Sequence, residues 1–68
     1  MDLKSLKALA VKFDTAADDH AAVAQLIADT RAANPKDAQA TKLCDDIEKA
    51  SSPAAIRKIT AAIAAQTP

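Results

Sequence analysis

Asn34-Pro35-Lys36-Asp37-Ala38-Gln39-Ala40-Thr41-Lys42-Leu43-Cys44-Asp45-Asp46-Ile47-Glu48-Lys49-Ala50-Ser51-Ser52-Pro53 is the stretch that decides the fold. It opens and closes on the same punctuation, a short polar residue able to cap a helix and then a proline whose fixed φ suits a first helical turn. Ala40, Leu43, Ile47 and Ala50 recur at spacings of three, four and three, with Cys44 beside them, so the segment presents one apolar face. The spacing predicts a helix over 36–50, started by Asn34-Pro35 and ended before Ser52-Pro53. It carries no recognisable catalytic motif.

Composition extends that reading to the whole chain. The 68 residues suit one domain, 1–68, and contain no glycine, which argues against tight hairpins and against every glycine-rich phosphate loop. Nineteen residues are alanine, the best intrinsic helix former because it loses no side-chain rotamers. The expected fold is all-α, a small bundle of four short helices, or three if the first two run together. Its core is thin: few large apolar residues and a single aromatic, Phe13. Domains of this length are marginal, and oligomerisation is a common remedy.

Outward from the organising helix, Asp2 can cap a first helix whose stripe is Leu3, Leu6, Leu9, Ala10 and Phe13. Val11 falls off that stripe and reads as ordinary surface. The segment Asp14-Thr15-Ala16-Ala17-Asp18-Asp19 holds neither proline nor glycine, so a continuous helix to residue 33 is conceivable. Two features favour a break. The stripe ending in Phe13 does not line up with Val23, Leu26 and Ile27. Asp19 would lie under the second apolar face if helical, whereas near a helix start it satisfies free N–H groups and the macrodipole. The second helix is therefore expected over 18–33, with Val23, Leu26, Ile27 and Thr30 inward and Asn34 closing it. The fourth is expected from Pro53 to about Gln66, with Ile56, Ile59 and Ile63 inward.

Charge narrows the function classes. The formal net charge is zero, giving no global attraction to nucleic acid or anionic membrane. Nothing approaches the length of a membrane span, and the N-terminal segment lacks the apolar run of a signal peptide, because Lys12 interrupts it. Cys44 is the single cysteine, so no disulfide can staple the fold within the chain, which suits a soluble protein of the reducing cytoplasm.

Each candidate site has a plainer explanation. His20 beside Asp18 and Asp19 resembles an oriented general base, but acids belong at a helix start for structural reasons, and a metal site lacks further ligands. Cys44 is followed by Asp45, Asp46 and Glu48, whose charges disfavour a thiolate; it reads as a small apolar residue at the core edge. The same acids do not converge on a cation, since consecutive helical residues diverge by about 100°. Asp45 with Lys49, and Asp46 with Lys42, are instead expected as pairs along the helix.

No catalytic residue, cofactor site or metal site is therefore expected. The fourth helix places Ala54, Lys58, Ala61 and Ala65 opposite its isoleucines at spacings of four, three and four, the pattern of a helix–helix seam. This is the candidate interaction face. The sequence points to a non-enzymatic protein–protein interaction module, a small regulator, adaptor or stoichiometric inhibitor, with a homodimer through the fourth helix. A helix-turn-helix nucleic-acid-binding protein is the alternative, its reader being the third or fourth helix, but the third is net acidic and the fourth offers Arg57, Lys58 and Gln66 alone.

Overall fold

A computed structural model describes residues 1–50 and 52–67. Among them lie four helices and no strand: α1 (Leu3–Ala16), α2 (His20–Ala33), α3 (Ala38–Lys49) and α4 (Pro53–Ala64). The all-α bundle expected from composition is present, with the first two helices separate.

Caps explain each start. Asp2 accepts from the Ser5 N–H at 2.8 Å, Asp19 from the Ala22 N–H at 3.1 Å and Ser52 from the Ala55 N–H at 3.2 Å, each satisfying an amide the helix leaves free. Pro53 occupies the first turn of α4, as its sequence position implies. Asp19 adopts extended backbone, which ends the α1–α2 turn and re-aims the chain. Ser51, part of the expected turn before α4, lies outside the described residues.

The start of α3 differs from expectation. Asn34 and Pro35 do not open it; Asp37 does, accepting from the Gln39 and Ala40 amides at 3.0 and 3.1 Å. The Asp37 carboxylate is also ion-paired with the Met1 amino group. Asn34 instead closes α2, its side-chain amide donating to the Thr30 carbonyl at 3.0 Å. With Asn34 committed to the preceding helix, Pro35 and Lys36 form a turn, and the next acid in sequence takes the cap. The outer helices are also shorter than expected: α2 begins two residues later than Asp18, and α4 ends at Ala64.

One core cluster receives all four helices. Leu6, Ala10, Phe13 and Ala17 come from α1 and its end, Val23 and Ile27 from α2, Leu43, Cys44 and Ile47 from α3, and Ile56 and Ile63 from α4. The predicted inward residues Leu9, Leu26 and Ile59 are half-buried and pack against this cluster. Cys44 corrects the sequence reading: it is fully buried at 0% exposure, not at the core edge. Its neighbours Leu43 and Ile47 are close to it in exposure, so the apolar face of α3 is wider than the strict stripe suggests. Val11 is 62% exposed, as its position off the stripe implies.

Two contacts set the direction of α4 against α1. The Thr60 hydroxyl lies 3.0 Å from the Arg57 carbonyl and 3.3 Å from the Asp14 carboxylate, so its one proton can serve either acceptor. The Arg57 guanidinium meets Asp18, beyond the end of α1. Higher α1 numbers thus face lower α4 numbers, and the two helices run antiparallel.

Candidate interaction surface

The residues that sequence reasoning singled out for chemistry end up far from one another in role. His20 is exposed at the first position of α2, where it borders shallow grooves with Val23, Ile56 and Ala50. Asp19 beside it is occupied as a cap, and Asp18 is held by Arg57. No group of three or more His, Cys, Asp or Glu side chains suited to a metal ion occurs among the described residues.

Cys44 is a poor nucleophile for a physical reason. Burial pushes its thiol above the ordinary value, because a thiolate would lose its hydration there; Asp45 and Glu48 add to the rise, and Arg31 opposes it. Its sulfur lies 4.0 Å from the Ile27 carbonyl, an inward-facing contact between α3 and α2.

The acids after Cys44 find a partner that sequence spacing did not suggest. Arg31 of α2 bridges to Asp45 at 2.7 Å and to Glu48 at 2.9 Å, taking Asp45 from the expected pair with Lys49, and the expected pair of Asp46 with Lys42 is not formed among the described residues. Asp45 and Glu48 are three residues apart on α3, so one guanidinium fork from the facing helix can reach both. Both carboxylates raise the Arg31 pKa further, Glu48 most. Asp45 and Glu48 are therefore an interhelix tie.

The expected interaction face on α4 is open. Ala54, Lys58, Ala61 and Ala65 are all exposed. Beside it runs a feature missed in the sequence: a groove of about 280 Å³ between α1 and α4, lined by Ala10, Val11, Asp14, Thr60, Ala61 and Ala64. Its walls are chiefly apolar side chains, and Asp14 is the acid at its edge. Val11 gave a signal in the sequence, an apolar residue off the stripe, but the antiparallel pairing of α1 with α4 was needed to bring it to Ala61 and Ala64.

Folding also sorts the charge. Helices α1 and α4 together carry five of the nine cations, Lys4, Lys7, Lys12, Arg57 and Lys58, and one of the nine anions, Asp14. Because these two helices pack side by side, a chain of zero net charge has a basic face. Arg57 is spent on Asp18. Lys4, Lys7, Lys12 and Lys58 have no ion-pair partner among the described residues.

No protein-family signature, curated protein or solved structure matches this chain. No helix among the described residues is long and apolar enough to cross a membrane.

Proposed function

We propose that the chain is a non-enzymatic protein–protein interaction module, a small regulator, adaptor or stoichiometric inhibitor working in the cytoplasm, which docks a helical surface on a protein partner. The observation that supports this reading is Val11, a large apolar side chain 62% exposed at the rim of an apolar groove. A lone exposed valine is ordinary, but this one continues into Ala61 and Ala64, and from there into the open stripe of Ala54, Lys58, Ala61 and Ala65. Capture of a partner from the native host, with the bound protein identified by mass, tests it when repeated with Ala61→Glu. Loss of capture by a variant that still melts like wild type is expected; undiminished capture would overturn the reading.

Self-pairing is one form of the same reading. The spacing of four, three and four is the same in either direction, so α4 can meet a second copy of itself antiparallel, Ala54 against Ala65 and Lys58 against Ala61. The four free lysines support a second class, a small helix-turn-helix nucleic-acid-binding protein. Counting against it, the one arginine of the face is engaged by Asp18. Retention on duplex DNA at low salt would carry that alternative, and its absence would remove it.

A further inference from the structure

We infer that the occupant of the α1/α4 groove is an acidic amphipathic helix of a different protein, its apolar side chain filling the space between Val11, Ala61 and Ala64 and its carboxylates meeting the surrounding lysines. The inference rests on the interaction reading above and adds the chemistry of the partner.

The placement of the cations carries it. Lys7 and Lys4 stand one and two turns before Val11 on the same side of α1. Because α4 runs antiparallel, they lie toward its C-terminal end, while Lys58 stands one turn before Ala61, toward its start. Lys7 and Lys4 therefore put unpaired positive charge at one end of the apolar groove; at the other end Lys58 stands beside Asp14 and the Arg57–Asp18 pair. Asp14, the acid lining it, is within reach of the Thr60 hydroxyl, and its charge acts on Arg57. A ligand helix with a large apolar residue in the groove and acids placed toward the Lys4 and Lys7 end matches this layout, and complementary potentials of this kind steer encounter and select partners.

The alternatives fit less well. A second copy meeting this face symmetrically would bring two basic faces together. A second copy offering its acidic side would have no apolar side chain to insert, since Val11, on the basic face, is the exposed large hydrophobic residue among the described residues. Nucleic acid would match the lysines and leave the apolar groove unused.

The experiment titrates isotope-labelled protein with two synthetic helical peptides at low and moderate salt. Both carry the same leucine stripe; one is flanked by glutamates, the other by lysines. The glutamate peptide is expected to bind about tenfold or more tightly than the lysine peptide, to shift the amides of Val11, Ala61 and Ala64, and to weaken as salt is added. Lys58→Glu, an exposed change, is expected to cut that preference with an unchanged melt. Equal binding of the two peptides, shifts centred on α2 and α3, or tighter binding to duplex DNA than to the glutamate peptide would each overturn the inference. If Ala61→Glu abolishes capture of the native partner while the two peptides bind equally, the acidic chemistry fails and the interaction reading stands. If capture is undiminished, both fail.

Discussion

Arg57 and Asp18 meet at two points, with Nη2 2.6 Å from Oδ2 and Nη1 3.3 Å from Oδ1. The contact ties the α1–α2 turn to α4 across 39 residues of sequence. The hydrogen bond from Arg57, and then its charge, hold the Asp18 carboxyl below its ordinary value of 3.8. A depressed acid stabilises the fold at pH above its unfolded value and loses that contribution as pH falls through the folded one. Asp18→Asn is thus expected to lower the melting temperature slightly at neutral pH, with the difference from wild type vanishing in strong acid. Both groups are well exposed, so the effect is expected to be small and to shrink with added salt.

The core of α3 gives a larger effect. Ile47 is 1% exposed, and Ile47→Ala is expected to cost about 2–5 kcal/mol, a large share of the stability of a domain this size. Chemical denaturation followed by circular dichroism measures it. A midpoint close to wild type would contradict the placement of Ile47.

Cys44 offers a reporter of unfolding. Its burial predicts that an aromatic disulfide reagent labels it slowly in the native protein and quickly in denaturant, with the native rate tracking the population of the open form. Cys44→Ala and His20→Ala are both expected to keep partner binding. Loss of binding by either variant, with helicity and melting temperature unchanged, would reopen the question of chemistry.

The α3 cap lies at Asp37, not at the Asn34-Pro35 that the sequence favoured. Asp37→Ala removes a carboxylate that serves two amides and the Met1 amino group, so it is expected to lower the melting temperature clearly. Pro35→Ala, outside the helix, is expected to do much less. Reversed ranks would return the helix start to Asn34-Pro35.

Salt discriminates between occupants of the α4 face. A symmetric pair of copies brings two lysine-bearing faces together, so its association is expected to strengthen with salt, and its melting temperature to rise with protein concentration. Docking of an acidic partner is expected to weaken with salt. Sedimentation at low and high salt, with and without the glutamate peptide, reads both; Ala61→Glu is expected to leave folded monomer in the first case.

Much of this architecture is legible in local pattern. Helix class follows from alanine content and missing glycine, and the apolar stripes of Leu6, Phe13, Leu43, Ile47, Ile56 and Ile63 follow from spacing, because helical periodicity acts over a few residues. The break before Asp19 was readable for the same reason: two stripes out of phase cannot share one straight helix facing one core. The start of α3 was not: local pattern points to Asn34-Pro35, whereas Asp37 is the cap. The choice depended on Asn34 reaching back to Thr30 and on Asp37 pairing with Met1, a residue 36 positions away.

The surface is the part that sequence left open. The α4 stripe could be read from spacing, but the groove beside it could not. Val11 and Ala61 are 50 residues apart, and only the antiparallel packing of α1 on α4 joins them. Arg31 likewise reaches Asp45 and Glu48 because α2 lies against α3, overriding the Asp45–Lys49 pair that spacing along α3 favoured. Net charge is a sum and carries no position; a sum of zero became a basic face when two lysine-bearing helices were set side by side. Sequence alone determined that the chain is helical, roughly where each helix lies and the main apolar stripe that each turns inward, since these are short-range properties. Tertiary structure alone decided which outer faces became neighbours, because that depends on how separate helices satisfy one shared core.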